Sequence, residues 1–233
     1  LGGILGTVRD YDVSTAALAA LCRAARFPAE ESARILDELN TQRATHVAAL
    51  GALLNAHRAA AALGGISRAA ATARACRTPA AREPAAAFCA SAALSTLKDL
   101  LAWQDEDITQ LFAAHLHKLR IACKRLRYVC EFARPVFGAA LNDDITALIA
   151  MQDCLGRHQD MAALRTLLER VAFRAAGRGK RGVALTLACG ALMERVRQIM
   201  EHERVQFAGV WRTFPAHAAH LREALLSHAA VAA

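Results

Sequence analysis

The stretch His117-Lys-Leu-Arg-Ile-Ala-Cys-Lys-Arg-Leu-Arg-Tyr-Val-Cys-Glu-Phe-Ala-Arg134 is the most informative part of this sequence. It contains six Lys or Arg residues and one Glu, so it contributes +5 to the formal net charge of +8 of the whole chain. In an α-helix each residue is rotated by about 100° from the one before it. At that spacing one arc of the helix, which we call the basic face, holds His117, Arg120, Lys124, Arg127 and Tyr128.

The opposite side of the same helix is apolar and holds Leu119, Ala122, Cys123, Leu126, Val129 and Cys130. An apolar stripe of this kind packs into a helical bundle, whereas a row of cations stays at the protein surface. Two interpretations of the basic face follow. It binds an anionic, repetitive ligand, or it is a solvated surface whose charges pair with acidic residues on neighbouring helices.

The composition predicts an all-α protein. The chain has 233 residues, enough for one large domain or two small ones with a buried core. Ala, Leu and Arg dominate, aromatic residues make up 5%, and the Val, Ile and Thr runs typical of strands are missing. We expect no membrane span, because the most apolar candidate, residues 44–66, is interrupted by His, Asn and Arg side chains.

The cysteines indicate the cellular compartment, and the net charge indicates the class of binding partner. The seven cysteines are an odd number, form no Cys-x-x-Cys pair and mostly lie among apolar residues. This pattern is typical of reduced core cysteines in a cytoplasmic protein, rather than of a disulfide framework or a zinc site. The positive charge favours a polyanionic partner, namely nucleic acid, an anionic membrane surface or a phosphate polymer, without choosing among them.

The spacing of apolar residues and of helix breakers predicts helices over 14–27, 28–63, 85–103, 107–133, 140–154, 161–176, 183–211 and 216–227. Ser14 is the expected N-cap of the first helix, and Gly64-Gly65 are expected to end the second. Pro135 and Gly138 are expected to end the basic helix. Residues 67–84, with two prolines and four arginines, are the expected linker.

An internal repeat relates two short segments of the chain. Leu5-Gly6-Thr-Val-Arg-Asp10 matches Leu155-Gly156-Arg-His-Gln-Asp160 at an offset of 150 residues. We expect each copy to form a loop that leads into a helix. The same offset would place a first copy of the basic helix upstream of Leu1, so the opening helix of the first copy is expected to be missing.

Two motifs of this sequence resemble the signatures of the CHAD domain, a family of α-helical domains with characteristic histidines. The motifs are His117-x-x-Arg120-Ile-x-x-Lys124-Arg125-Leu126-Arg127-Tyr128-x-x-Glu131-Phe132 and Leu155-Gly156-Arg157-His158-x-Asp160. The segment Leu5-Gly6-x-Val8-Arg9-Asp10-x-Asp12-Val13 resembles the first-copy counterpart of the second motif. The order and spacing of these matches extend over nearly the whole chain.

The resemblance implies one CHAD-type domain, built of two pseudo-symmetric four-helix bundles around a basic central groove. We assign the first bundle to residues 1–66, the linker to 67–84 and the second bundle to 85–233. The resemblance also implies binding of inorganic polyphosphate. The role of that binding would be to target or organise polyphosphate granules, or to target a fused or associated triphosphate-processing domain.

Polyphosphate carries about one charge per phosphate and no bases, so it requires several cations at a regular rise; Arg offers forked donors and Lys a point charge. The residues assigned to direct contacts are His117, Arg120, Lys124, Arg125, Arg127, Tyr128, Arg9, Arg157 and His158. Asp10, Asp12 and Asp160 are expected just before helices, so we assign them supporting roles as N-caps or as orienting partners for the arginines.

Two other functions stay open. Non-specific nucleic-acid binding would use the same positive field, but the aromatic residues that stack bases are not interleaved with the cations. A metal-dependent phosphohydrolase needs His and carboxylate ligands on one ion, and the His and Asp residues of the motifs have no recognised metal spacing. No nucleophile set or Gly-rich phosphate cradle is recognisable. We therefore expect no catalytic residues, no metal and no cofactor, and the sequence does not indicate an oligomeric state.

Overall fold

The computed structural model describes residues 2–55, 57–78 and 82–231. Within these ranges the chain is helical and contains no strand, which confirms the all-α prediction. Two one-turn 3-10 helices, Ile108–Gln110 and Gly138–Leu141, flank the helix of the basic face. The α-helices are α1 (Gly2–Ala24), α2 (Ala29–Asn55), α3 (His57–Ala75), α4 (Ala85–Leu101), α5 (Ala113–Phe137), α6 (Asn142–Ala175) and α7 (Gly179–Val231).

The chain divides into two compact units, with one boundary between α3 and α4 and the other two inside α6 and α7. The first unit comprises Leu1–Cys76 and Asp160–Met200, and the second comprises Arg77–Gln159 and Glu201–Ala233. The predicted ranges 1–66 and 85–233 do not coincide with these units, because residues 160–200 group with the N-terminal helices. Residues 1, 56, 79–81 and 232–233 of the predicted ranges lie outside the described residues.

The core of the first unit is formed by four helical segments. Apolar side chains of α1 and α2 pack with those of the second half of α6 and the first half of α7. Leu18, Ile35, Leu39 and Leu164 are fully buried in this core. Helix α3 contributes none of its described side chains to it, since they are exposed or only half-buried.

The core of the second unit is also formed by four helical segments. These are α4, α5, the first half of α6 and the second half of α7. The stacked aromatic rings of Phe207, Trp211 and Phe214 on α7 form one wall of this core, with centroid separations of 5.9 and 5.7 Å. Whether the two units are related by a pseudo-twofold rotation, as the sequence repeat predicts, stays a prediction.

The two repeated segments are not loops. Leu5–Asp10 lies inside α1, and Leu155–Asp160 lies inside α6, so the predicted loop conformation is wrong. Neither Gly6 nor Gly156 has a positive φ, and a Cβ atom at either position would meet nothing within 4 Å. Both glycines therefore occupy ordinary helical positions, and α6 is one helix instead of the two predicted over 140–154 and 161–176.

Helix α7 also joins two predicted helices, because it continues through Pro215. A proline in a helix interior removes one backbone hydrogen bond and costs about 3 kcal/mol or more. Burial of Phe214, Leu221 and Leu225 on both sides of the proline offsets this cost, since each of these side chains is at most 1% exposed. The break predicted between residues 211 and 216 is therefore wrong.

Helices α2 and α3 replace the single helix predicted over 28–63. Gly64 and Gly65 lie inside α3 and do not end a helix. The first part of the predicted linker, residues 67–75, belongs to α3 as well. The linker is thus shorter than residues 67–84.

Helix α5 begins later and ends later than predicted. Residues 107–112 precede it, and the Asp107 side chain caps the 3-10 turn by accepting hydrogen bonds from the backbone N–H and the hydroxyl of Thr109, at 2.9 and 2.6 Å. Pro135 lies inside α5 and does not end it. Gly138 does mark its end, with a φ of +63° that favours glycine.

Six of the seven cysteines are buried with free thiols, and Cys76 is half-exposed. Burial raises the pKa of Cys123 and Cys130 to about 12, so these thiols stay protonated. Within the part of the chain that the structure describes, no single helix has the length and apolarity to cross a membrane. Within the same described residues, one pair of helices, Ala29–Asn55 and Ala60–Ala75, has the required length and apolarity when the two are taken together, but the pair is bent by 57°.

The burial of α5 gives a direct test of its orientation. Replacing Leu126, which is fully buried, by Ala should lower the free energy of unfolding by about 2–5 kcal/mol, because it leaves a cavity in the core. Replacing Phe132, which is 72% exposed on the same helix, by Ala should change it by less than about 0.5 kcal/mol. Urea denaturation measures both values, and a larger loss for Phe132→Ala would contradict the orientation.

Candidate basic site on helix α5

The apolar stripe of α5 fixes the direction of the basic face. Leu119, Cys123, Leu126 and Cys130 are fully buried in the core of the second unit. The predicted burial of Leu119 and Leu126 is confirmed, whereas Val129 is only half-buried against the same core. This side of the helix is anchored, so the opposite side is held towards solvent.

The residues of the basic face are accessible to different degrees. His117 and Lys124 are exposed, and Tyr128 is 47% exposed. Arg120 is half-buried, and the side chain of Arg127 keeps 23% of its surface. Among the described residues, neither Arg120 nor Lys124 has a carboxylate within 4 Å, so both cations are available to an external anion.

Tyr128 organises two of these cations. The Nζ atom of Lys124 lies 5.3 Å from the centre of the Tyr128 ring, and the Cζ atom of Arg127 lies 4.9 Å from it. Such cation–π contacts are worth about 0.5–1 kcal/mol at exposed positions. They hold both charges beside the aromatic ring and reduce the side-chain entropy that a ligand would have to remove.

Arg125 faces a different side of α5 from the other predicted contacts. It lines a cavity of about 460 Å³ next to α4, together with Lys118, Asp99 and Trp103. Its position about 100° away from Lys124 around the helix axis accounts for this placement. Arg125 is exposed, but it does not belong to the basic face.

Arg157 is engaged by a carboxylate that the sequence analysis did not identify. Its Nε atom lies 2.9 Å from Oε1 of Glu203 on α7, and its Nη2 atom lies 3.6 Å from Sγ of Cys154. The hydrogen bond to Glu203 raises the pKa of Arg157. Because Glu203 is 8% exposed, this pair also neutralises a buried acid, so Arg157 is engaged although its side chain is 54% exposed. Its predicted contact with phosphate stays a prediction.

His158 is buried, with 3% of its surface exposed, and this excludes the predicted direct contact with a ligand in this conformation. Burial and then the neighbouring charge of Arg204 lower the pKa of His158, so the neutral ring is favoured. Its Nε2 atom is buried without a hydrogen-bond partner. The prediction failed because the residues that surround His158 lie on α7, far away in sequence.

The repeated motif at the N-terminus lies in the first unit. Arg9 on α1 is 3.8 Å from carboxylate oxygens of both Asp10 and Asp160, so these two acids orient it. Asp12 pairs instead with Arg43 of α2. All three aspartates lie inside helices, so their predicted role as N-caps is wrong, and the role of Asp10 and Asp160 as orienting partners stays a prediction.

One polar cluster escaped the sequence analysis altogether. Asp144 of α6 is 1% exposed, and its two oxygens accept hydrogen bonds from Nδ1 of His217 and Nδ1 of His220, at 3.2 and 2.9 Å. The sequence does contain a signal for this cluster, because His217 and His220 are three residues apart and therefore lie on the same side of a helix. The hydrogen bond to Asp144, and then its charge, raise the pKa of His220.

Within the described residues, no three His, Cys, Asp or Glu side chains are grouped as a metal ion would require. Besides α5, cations are concentrated at the turn between α6 and α7. Arg178, Lys180 and Arg181 are exposed there, while Arg174 pairs with Glu38 at 2.7 Å. This turn offers a comparison set of surface cations outside the basic face.

The two histidine environments predict opposite titration behaviour. Since His220 has a raised pKa, its contribution to stability should be complete below about pH 6.5 and be lost as the pH rises through its folded-state pKa. Since His158 has a lowered pKa, it should cost stability as the pH falls below about 6.5, where the unfolded chain takes up a proton that the folded protein does not.

Nuclear magnetic resonance titration of the histidine rings measures these values directly. We expect His220 to titrate above an ordinary histidine and His158 below it. The reverse order would show that the arrangement around Asp144 or around His158 is incorrect.

Comparison with known proteins gives one match. The family model described as CHAD domain matches residues 1–169, which is more than half of the 233-residue chain and includes the whole basic helix motif and both repeated segments. Searches of the curated proteins and of the solved structures found no match.

Proposed function

Because the chain belongs to the CHAD domain family, we propose that it binds inorganic polyphosphate through the basic face of α5. The family is associated with polyphosphate binding, and this association is the reason for preferring a phosphate polymer to other polyanions. The proposal concerns binding without catalysis.

The single observation that carries the proposal is the set of cations on one anchored helix. Arg120 and Lys124 have no acidic partner within 4 Å among the described residues, and Tyr128 holds Lys124 and Arg127 by cation–π contacts. A rigid scaffold lowers the ordering cost of binding, because the backbone and part of the side-chain entropy have already been lost on folding. The charges then meet a flexible anion whose own charges repeat along its length.

The roles follow from accessibility. Arg120, Lys124 and Arg127 make the main charge contacts, and His117 and Tyr128 are positioned to donate hydrogen bonds to phosphate oxygens at the edge of the basic face. Arg125 contributes from the flank of the helix. Arg157 and His158 are not part of this set, because one pairs with Glu203 and the other is buried.

In the cell, such binding would bring the protein to polyphosphate granules, organise them, or deliver an associated triphosphate-processing domain to its substrate. Each of these roles needs only attachment to the polymer. A cytoplasmic setting fits the protonated, buried cysteine thiols.

Simultaneous replacement of Arg120, Lys124 and Arg127 by Ala should reduce polyphosphate affinity by at least tenfold, because three charge-assisted contacts are lost. The melting temperature should stay nearly unchanged, since none of the three side chains fills the core and removal of like charges relieves repulsion. Fluorescence polarisation with end-labelled polyphosphate and thermal denaturation measure the two quantities.

The matched control is the triple replacement of Arg178, Lys180 and Arg181 by Ala. It removes the same formal charge from exposed positions outside the basic face, so its effect on affinity should be clearly smaller. If the control variant lost more affinity than the α5 variant, the turn between α6 and α7 would be the binding site. If the α5 variant unfolded, its cations would be structural.

Affinity should rise steeply from orthophosphate to tripolyphosphate to long-chain polyphosphate. Contacts along the helix add up, whereas the ordering cost is incurred largely once. The logarithm of the binding constant should fall linearly with the logarithm of the salt concentration, as counterions released on binding require. Equal affinity for orthophosphate and the long chain, measured by calorimetry, would contradict polymer binding.

Nucleic-acid binding is tested in the same experiment. Single-stranded and double-stranded DNA at matched phosphate concentration should bind more weakly than long-chain polyphosphate. The basic face has one aromatic side chain, Tyr128, whose ring already contacts Lys124 and Arg127, so it offers no row of rings on which successive bases could stack. Tighter binding of DNA would replace polyphosphate with nucleic acid as the ligand.

A further inference from the structure

The basic face contains one acidic residue, Glu131. The rotation of about 100° per residue places it, in projection, between Arg120 and Lys124, in the middle of the cationic arc. Its side chain is 39% exposed, so the carboxylate is accessible from the same side as the cations.

Glu131 lies next to Arg127, a half-buried cation of the basic face. Its Oε1 atom is 3.6 Å from Nε of Arg127, one helical turn away. The Nε atom is buried and has no hydrogen-bond partner, because this distance is longer than a hydrogen bond. Arg127 thus lies beside the Tyr128 ring and beside the Glu131 carboxylate, with which it forms an ion pair without a hydrogen bond.

This arrangement differs from the pair of Arg157 and Glu203 in the second unit. Glu203 makes a close hydrogen bond with Arg157 at 2.9 Å and is itself buried, as a structural pair is expected to be. The pair of Arg127 and Glu131 is looser and more exposed, and exposed pairs at this spacing contribute little to stability. The effect of the pair on the binding of an anion is larger than its effect on stability, because the carboxylate neutralises Arg127 and also repels the ligand.

We propose that Glu131 is an internal competitor for Arg127, which lowers the affinity of the basic face for polyphosphate until a phosphate group takes the place of the carboxylate beside Arg127. This inference rests on the proposed function. In this proposal Glu131 limits the affinity of the basic face, which would otherwise bind any polyanion more tightly. No atom of Glu131 needs to contact the ligand.

The test is the replacement Glu131→Gln, which keeps the shape and removes the charge. Long-chain polyphosphate should bind about two- to fivefold more tightly to this variant than to the unmodified protein at low salt, as the loss of one exposed ion pair and one repulsive charge predicts. Helix content and melting temperature should stay the same within error.

The chain supplies a matched control. Arg165 and Glu169 on α6 form an ion pair with the same spacing of four residues, 3.0 Å between Nε and Oε1, with both side chains about half exposed. Glu169→Gln therefore changes the net charge equally at a position in the first unit. It should increase affinity less than Glu131→Gln, because only the general field changes.

A double-mutant cycle separates local competition for Arg127 from a change in the general electrostatic field of the protein. In the background Arg127→Ala, the replacement Glu131→Gln should give a smaller gain than in the unmodified protein, since the contested cation is gone. Equal gains in both backgrounds, or equal gains from Glu131→Gln and Glu169→Gln, would overturn the proposal. So would weaker binding by Glu131→Gln, which would make Glu131 a residue that positions Arg127 for the ligand.

Two outcomes distinguish loss of the proposed function from loss of the role of Glu131. Absence of polyphosphate binding by the unmodified protein would remove the proposed function and this inference with it. Binding by the unmodified protein, with no specific gain from Glu131→Gln, would leave the proposed function standing and remove only the role of Glu131.

Discussion

Burial of the apolar stripe of α5 is the constraint on which the candidate site depends. Leu119, Cys123, Leu126 and Cys130 have no exposed surface, so the helix cannot rotate about its axis without losing several buried side chains. The cations on the opposite side therefore occupy fixed positions although they repel one another. The free energy that the core provides is much larger than this repulsion, which is screened at the surface.

The same constraint explains why a surface without a deep pocket could still discriminate among anions. A phosphate polymer offers repeating charge and no other feature, so recognition has to come from the spacing of cations on a rigid support. Tyr128 contributes by holding Lys124 and Arg127, and the proposed competition by Glu131 limits how tightly any polyanion is held. Affinity would then grow with the number of phosphates that engage at once.

The sequence was sufficient for the parts of the molecule that depend on local pattern. The periodicity of α5 predicted both its burial and its exposed cations. It was not sufficient for α6, whose buried residues stop at His158 and resume at Leu164, because the two halves of the helix serve two different cores. The stretch of residues 156–160, which overlaps the start of this interval, resembles a loop in sequence. Pro215 likewise predicted a break in a segment that is one continuous helix, α7.

The site predictions failed where burial depends on residues far away in sequence. Nothing near His158 in the sequence indicates that α7 covers it, and nothing near Arg157 indicates Glu203. The motif correctly located the cations of α5, since neighbouring positions on one helix determine their common direction. Arg125 shows the limit of this reasoning, because adjacent residues in a basic motif point to different sides of the helix.

Side-chain nuclear magnetic resonance of the arginine Nε–Hε groups tests the central claim most directly, because it reports where a bound polyanion lies. Titration with polyphosphate of intermediate length should shift the signals of Arg120 and Arg127 first and most strongly. The signals of Arg178 and Arg181 should change little over the same range. Dominant shifts at Arg178 and Arg181, with Arg120 and Arg127 unaffected, would contradict the assignment of ligand binding to α5.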